Sequence, residues 1–273
     1  MGGYLKDIII GIVSVAVVVV TLILLLPVER NQQLREKYGK LAINAETDER
    51  AKFILDNVSE YPDDVLRYYY NITDNTDFVY NYLEHRNDYA SMSFTDDELN
   101  SPYPPKLYMS DFRWAYQNIG DYYIYHKGCA AVAITMANLY LNHNGDIDPY
   151  KVAFAAENIG VLAGSGGITT AGVKELCEEL GLNAVEYNYD TDIGGSDETV
   201  DYELIRSITE NGHVCLLGMF GERFGAHAVV VRECTDEGIY INDPGSVDNT
   251  ELLWNYSDVE PEIIYVWDIS KSE

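Results

Sequence analysis

Residues 125–140 read YHKGCAAVAITMANLY, and this stretch decides the fold of the chain. Gly128 and Cys129 end a polar run, and a long series of apolar helix formers follows at once. The pattern predicts a buried helix that begins at the cysteine. A structural cysteine needs no particular place on such a helix. A nucleophile gains from this one, because the unpaired N–H groups and positive dipole end of a helix stabilise a thiolate. Cys129 is therefore the candidate nucleophile.

A histidine and an aspartate farther along the chain complete the chemistry that Cys129 would need. A free thiol ionises near pH ~8.5, so an efficient nucleophile requires a base beside it. Of the five histidines, His227 fits best, since it follows glycine and alanine at the start of an apolar strand. Asp243 ends the next strand, which Pro244 stops. If these strands pair, the carboxylate meets and orients the imidazole. Each residue alone favours a structural role, whereas their order together favours a triad.

The remaining pattern predicts an α+β fold, in which helices precede an antiparallel sheet. The helices are expected near residues 129–141, 149–158, 169–180 and 200–211. The strands are expected in the apolar runs at residues 213–220, 226–233, 239–242 and 262–268.

The N-terminal part predicts a membrane anchor. Residues 8–26, IIIGIVSVAVVVVTLILLL, carry no charge and, at about 1.5 Å per residue, reach about 28 Å as a helix, close to the hydrocarbon thickness of a bilayer. The apolar core is too long for a cleaved signal peptide and has no small-residue exit. We therefore divide the chain into a transmembrane anchor at 1–28, a helical stalk at 29–100 and a catalytic-type domain at 101–273.

Charge and motifs narrow the possible ligands. The 273 residues include 45 acidic and 18 basic side chains, a net charge of −27, which repels phosphate backbones and excludes nucleic acid as an expected partner. Such a charge keeps the surface soluble, and it also tolerates or attracts cationic substrates. The glycine-rich residues 160–172 lack the pattern of a phosphate or dinucleotide loop, and the acidic segments lack that of a calcium loop. We expect no metal and no organic cofactor.

The other three cysteines favour structural interpretations. Four cysteines are too few for a disulfide scaffold in a chain of this size. Cys177 belongs to an apolar helical stripe and is expected in the core. Cys215 and Cys234 lie in two apolar runs that are near-opposite if they form a hairpin, where either a disulfide or two buried free thiols is consistent with the pattern.

Several segments together resemble the papain-like domains of the bacterial cysteine peptidase family 39. The similarity runs over about residues 48–268. It is carried by SDFRWAYQNIG at 110–120, HKGCAAVAITMANLYL at 126–141, GSGGITTAGVKELCEELGL at 164–182, GAHAVVV at 225–231 and GIYINDPGS at 238–246. The resemblance implies a papain-like fold and hydrolysis of a peptide or amide bond. It implies that Cys129 is the nucleophile, His227 the base and Asp243 the orienting acid.

One departure concerns the oxyanion hole. Relatives often carry a glutamine just before the Asp-x-Arg-Trp element, and Met109 stands at the corresponding place here. A thioether cannot donate a hydrogen bond, and loss of one oxyanion donor typically costs on the order of a hundredfold or more in rate. Gln117 is the nearest amide in sequence and is the candidate substitute. Trp114, Gly128 and the pair Gly166 and Gly167 are the candidate cleft-lining residues.

The sequence thus favours a membrane-anchored cysteine peptidase-like hydrolase with a peptide or protein substrate. Two alternatives stay open: a catalytically impaired domain that binds a peptide or an envelope component, and a thiol acyltransferase. The basic residues that follow the anchor favour a cytoplasmic domain. The resemblance to largely exported domains favours the extracytoplasmic face, which is the interpretation we adopt. The oligomeric state is left open.

Overall fold

The computed structural model describes residues 38–71, 75–188 and 201–272. The expected anchor at residues 8–26 lies outside these ranges. Within them, no helix combines the length and the apolar character that a membrane crossing requires. Packing divides the chain into two compact units, Met1–Glu84 and His85–Glu273.

The first unit is helical in the part that the structure describes. Its α-helices are α1 (Gly39–Asn44), α2 (Glu49–Asp56), α3 (Asp63–Asn71) and α4 (Thr76–His85), the last of which reaches the boundary with the second unit. Asp48 begins α2 as its N-cap, because its carboxylate accepts a hydrogen bond from the backbone N–H of Arg50. The core of this unit includes Leu41, Ile54 and Phe78, which are almost fully buried.

The second unit contains the elements expected from the sequence and several more. Its helices are α5 (Asp96–Leu99), α6 (Ile124–Lys127), α7 (Cys129–Asn142), α8 (Pro149–Asn158), α9 (Gly172–Glu179), α10 (Tyr202–Glu210), α11 (Val247–Glu251) and α12 (Tyr256–Val259). Its strands are β1 (Asn118–Ile119), β2 (Tyr122–Tyr123), β3 (Leu182–Asn188), β4 (Val214–Met219), β5 (His227–Thr235), β6 (Gly238–Asn242), β7 (Leu253–Trp254) and β8 (Ile263–Lys271).

The main sheet is six-stranded, in the order β3-β8-β4-β5-β6-β7, and every pair is antiparallel. The α+β arrangement predicted from the sequence is confirmed. Strand β3 was not predicted, because it forms an edge of the sheet where polar residues interrupt the apolar pattern. It is held by seven residue pairs with β8 and by a hydrogen bond of 3.0 Å from Trp267 Nε1 to Glu186 Oε2.

The sheet is covered on both faces. Every residue of β4 is buried, as its uninterrupted apolar run predicts for a central strand. Alternate residues such as Leu216 face the core formed with α7, α8 and α9, whereas Leu217 faces a second core with α10 and α12. Helix α7 has little exposed surface, since most of its residues are buried. This central helix fixes the position of Cys129 at its first turn.

All four cysteines are free thiols. Cys215 pairs with Asp268 of β8, and Cys234 pairs with Ile239 of β6, so the two cysteines are not cross-strand partners. The near-opposite placement expected from a hairpin centred near Phe224 was wrong, because β4 and β5 pair in the register Leu216–Val230, which leaves Cys234 beyond the position opposite Cys215. Both are free thiols, but only Cys215 is buried, whereas Cys234 is half-buried; Cys177 is buried in the core as expected.

Candidate active site

Three elements bring Cys129, His227 and Asp243 together. Cys129 begins α7, His227 begins β5, and Asp243 follows the last residue of β6. His227 Nε2 lies 2.6 Å from Asp243 Oδ1, and the Cys129 thiol is hydrogen-bonded to the same imidazole. Because the carboxylate occupies Nε2, Nδ1 is the ring nitrogen left for the sulfur. The three side chains therefore form one hydrogen-bonded line.

Gly128 explains why a glycine precedes the cysteine. A Cβ at this position would lie 2.6 Å from the carbonyl oxygen of Ile124 and 2.5 Å from its Cγ2. Any side chain here would push the short helix α6 away from the start of α7. Gly128 is buried behind Cys129 and is not among the residues that line the cleft, so its effect on the site is positional.

The surroundings of the sulfur favour the thiolate. Burial by itself raises the pKa of the Cys129 thiol, but the hydrogen bond and positive charge of His227 outweigh it. The backbone N–H groups of Ala228 and Ala130 also donate to the sulfur. The net result is a Cys129 pKa below that of an ordinary thiol. The helix start supplies the Ala130 donor, as expected for a thiolate at an N-terminus.

The imidazole and the carboxylate form a buried ion pair. The side chains of His227 and Asp243 are 12% and 3% exposed. Burial by itself lowers the pKa of His227, but the bonds to Asp243 and Cys129 more than compensate, so its pKa is raised well above the usual value. Burial raises the pKa of Asp243, and the contact with His227 overcomes this and holds it below its usual value. The three shifts therefore all favour the charged forms: thiolate, imidazolium and carboxylate.

The turn after Asp243 holds the carboxylate in place, a feature that the sequence reasoning missed. The backbone N–H of Gly245 donates to Asp243 Oδ1 at 2.7 Å, and Asn249 Nδ2 donates to Oδ2 at 2.8 Å. The Asp243 backbone N–H donates to Thr250 Oγ1 at 2.9 Å. A Cβ at residue 245 would lie 3.2 Å from Cε1 of His227 and 3.3 Å from Nε2, so only glycine leaves the pair its present room. The run PGSVDNT after the aspartate, with Ser246 as N-cap of α11, was the available signal.

An open cleft of about 450 Å³ gives access to the sulfur and the imidazole. One wall is the loop that carries Gly166 and Gly167, both with φ of +83°, a conformation that favours glycine. Phe220, 64% exposed, lies at the cleft. The residues that line it include Met109, His126, Lys127, Cys129, Ala130, Ser165, Gly166, Gly167, Thr169, Thr170, Gly218, Met219, Phe220, Ala226, His227, Ala228, Ile264 and Trp267.

Met109 lines the cleft together with Cys129. Its backbone N–H donates to Pro244 O at 2.8 Å, which ties this segment to the turn that carries Asp243. Its side chain is partly buried and packs against the core. A thioether therefore stands in the cleft wall where the resemblance implies an amide donor.

Two sequence-predicted site residues lie elsewhere. Trp114 is fully buried in the core, where its Nε1 donates to Tyr108 O at 2.8 Å and the Arg113 guanidinium stacks on its ring at 4.6 Å. Gln117 is not among the described residues that line the cleft. Its backbone belongs to the turn before β1, since its carbonyl accepts from Ile124 N. Gln117 was chosen because it is the nearest amide in sequence, but the chain turns into the β1–β2 hairpin at this point.

His126 is another titratable residue of the cleft. Burial and then the adjacent Lys127 lower its pKa to about 4, so it is uncharged near neutral pH. Within the described ranges, no group of three His, Cys, Asp or Glu side chains is arranged to hold a metal ion.

No protein-family model matches the sequence, and no curated protein is similar to it. Among solved structures, the peptidase domain of Streptococcus ComA, a bi-functional ABC transporter involved in quorum sensing, is 10% identical with a TM-score of 0.38, over 54% of this chain and 93% of that one. A double-glycine-motif protease of an AMS/PCAT transporter, solved with its leader peptide, is 17% identical with a TM-score of 0.31, over 52% of this chain and 84% of that one. A Bacillus anthracis protein described as C39-like is 15% identical with a TM-score of 0.35, over 62% of this chain and 96% of that one. All three are distant likenesses.

Proposed function

We propose that the chain is a cysteine-dependent hydrolase that cleaves a peptide or amide bond. Cys129 is the nucleophile, His227 the general acid and base, and Asp243 the group that orients the imidazole. The observation that carries the proposal is the hydrogen-bonded line of these three side chains, with the sulfur open to a cleft. A peptide as substrate follows from the sequence resemblance to family 39 peptidases.

The reaction proceeds in two steps that conserve atoms and charge. The Cys129 thiolate attacks the carbonyl carbon, a C–S bond forms, and the imidazolium of His227 gives its Nδ1 proton to the departing amine. His227 then takes a proton from water, which attacks the thioester and releases the acid. Asp243 stays ionised throughout and keeps Nε2 as the donor to its carboxylate. No metal or organic cofactor enters these steps.

Stabilisation of the oxyanion is the step for which this site offers the least support. A backbone N–H at the start of α7, that of Cys129, is the available donor, while Met109 contributes none. Preorganised donors at the developing oxyanion are commonly the largest single contribution to acyl transfer, so we expect both acylation and deacylation to be slow.

The test is labelling with a peptidyl electrophile that forms a thioether with an active-site thiolate, followed by mass mapping of the adduct. We expect one adduct, on Cys129, which is lost in Cys129→Ala and retained in Cys234→Ala. Cys234 is the matched control, because it is also a half-buried free thiol but its pKa is raised, chiefly by burial. Equal labelling of both cysteines in the folded protein contradicts the proposal.

A second function is favoured by Met109: a domain that binds a peptide in the cleft without cleaving it. Under this alternative Cys129→Ala binds peptides as tightly as the natural chain, and the natural chain leaves them intact. Acyl transfer is separated from hydrolysis by product analysis, since an added amine acceptor would then be incorporated in preference to water.

We also propose that residues 8–26 anchor the chain in a membrane, ahead of a stalk to residue 100 and a domain from residue 101 on the extracytoplasmic face. The support is the uncharged apolar run in the sequence. Protease treatment of intact cells tests the orientation. Protection of the C-terminal domain in intact cells, with cleavage after lysis, contradicts it.

A further inference from the structure

The charge of the cleft is opposite to that of the chain. The chain has 45 acidic residues and a net charge of −27. Yet among the described residues that line the cleft there is no aspartate or glutamate, whereas Lys127 and the imidazolium of His227 both line it. The Asp243 carboxylate is 3% exposed and already paired with His227. Because the Cys129 thiolate offsets the imidazolium beside it, Lys127 is the cation that has no counter-charge among the described residues of the cleft wall.

Lys127 is held in the wall of the cleft by its neighbours. A Cβ at Gly166 would lie 3.0 Å from Lys127 Cγ, and one at Gly167 would lie 3.2 Å from its carbonyl oxygen, so the loop packs directly on this residue. The ammonium lies 5.6 Å from the centroid of the Tyr122 ring. The lysine stem is thus fixed by the glycine loop two residues before Cys129.

Lys127 also lacks the carboxylate partner that several, though not all, cations of the unit have. Lys106 contacts Glu251 at 2.6 Å, and Arg113 contacts Glu98 at 2.7 Å. No carboxylate lies within ion-pair distance of Lys127 in the part of the chain that the structure describes. A cation left without a carboxylate, in so acidic a chain and beside the reactive sulfur, is available to a ligand.

We infer, on the basis of the proposed function, that the substrate carries a carboxylate close to the scissile bond and that Lys127 recognises it. The ammonium binds the carboxylate at a site partly shielded from water, where charge-assisted contacts are stronger than at an open surface. A cationic substrate group beside Lys127 would meet a like charge, with no aspartate or glutamate among the described residues of the wall to compensate. The net negative charge of the whole chain by itself suggests cationic substrates, but the positive charge of Lys127 at the cleft favours an anionic one.

A carboxylate next to the scissile bond has two possible sources. One is the side chain of an aspartate or glutamate within a longer peptide. The other is the C-terminal carboxylate of a substrate cut near its end. The two share their chemistry and differ in which peptide modification abolishes recognition.

The experiment compares matched peptides that differ only in charge. One pair carries internal Glu or Gln beside the scissile bond, and the other ends in a free acid or an amide. We expect kcat/KM for the acid member of one pair to exceed that of its neutral partner about tenfold, equivalent to about 1.4 kcal/mol. The pair that shows the preference identifies the source of the carboxylate.

Variants assign the preference to Lys127. Lys127→Met keeps the stem that packs against Gly166 and is expected to reduce the acid-to-neutral ratio to about one, mainly through KM. Lys127→Glu is expected to reverse the ratio and to favour a lysine-containing peptide. Lys271→Met is the control, since it removes the same charge from a groove that Cys129 does not line. It should leave the ratio unchanged.

The outcomes separate this inference from the proposed function. Equal kcat/KM within both pairs, with normal labelling of Cys129, overturns the inference and leaves the hydrolase intact. A preference that Lys271→Met abolishes as fully as Lys127→Met also overturns it, because the long-range field would then be responsible. If no peptide is cleaved, the affinity of Cys129→Ala for the same pairs decides, and equal affinities within each pair refute recognition by Lys127.

Discussion

Replacing Met109 by glutamine should accelerate this site. Met109 lines the cleft beside Cys129, and the 2.8 Å bond from its backbone N–H to Pro244 O fixes the segment to the turn that follows Asp243. Glutamine has nearly the same length and volume as methionine, and its amide N–H₂ is a donor where the thioether is not. The substitution therefore adds an oxyanion donor without moving the wall that carries it.

The magnitude follows from what one such donor does. Removal of a single oxyanion donor costs about 10²–10³ in kcat, or about 2.7–4 kcal/mol. An amide placed into a site that evolved around a thioether recovers part of this, so we expect kcat to rise at least about tenfold. Because the donor acts on the transition state, KM should change little. Met109 is partly buried, so the exchange of its thioether should cost about 1 kcal/mol of stability, or about 2–4 °C in Tm.

The assay is single-turnover acylation of Cys129 together with steady-state cleavage of one peptide. Met109→Leu is the matched control, because it keeps an apolar side chain of similar size and adds no donor. Its rate should equal that of the natural chain. A Met109→Gln protein that is folded, with kcat within twofold of the natural chain, would refute the placement of residue 109 at the oxyanion.

Three further predictions concern other residues in and behind the candidate active site. Asp243→Asn should lower kcat/KM about tenfold, because its new amide N–H₂ would face the amide N–H₂ of Asn249, which now donates to Asp243 at 2.8 Å. Combining Asp243→Asn with Asn249→Asp should recover most of the loss. A double variant as slow as the single one contradicts this hydrogen-bond network. The rate of Cys129 alkylation should fall at a lower pH than that of an ordinary thiol, because the pKa of Cys129 is lowered. The rate of peptide cleavage should fall at low pH, where the Cys129 thiolate is protonated, and at high pH, as pH rises through the raised pKa of His227. A pH profile of alkylation like that of a free thiol contradicts this pH dependence. Gly128→Ala should destabilise the fold by about 1–3 kcal/mol in denaturant unfolding, since its Cβ would meet a carbonyl oxygen at 2.6 Å; an unchanged unfolding midpoint would show that α6 can move freely.

Local patterns in the sequence were sufficient for the principal elements. The helix that begins at Cys129 and the strand that begins at His227 lie where the apolar runs and small residues predict them. Pro244 ends the strand before it, and the order of helices and strands indicates the α+β class. Each of these signals depends on residues within one or two turns of chain, which is the range over which helix starts and strand periodicity act.

Some site residues could not be predicted from local sequence patterns. Trp114 and Gln117 are close to the cysteine in sequence, yet one is in the core and the other is not among the described residues that line the cleft. Gly245 and Asn249 hold the carboxylate, and the run PGSVDNT indicates a turn and a helix start there but not that these residues contact Asp243. The edge strand β3 depends on its pairing with β8 and not on its own composition.

The sequence by itself therefore determined the class of fold, the candidate nucleophile at a helix start and an apolar run of membrane-spanning length. Only the tertiary structure decided which nitrogen of His227 faces Asp243, that Met109 lies in the cleft, and that Lys127 is a cation of the cleft without a carboxylate partner among the described residues. The reason is physical. Helix and strand formation depend on neighbouring residues, whereas register, burial and the charge of a cleft depend on side chains that are far apart along the chain and meet only after it has folded.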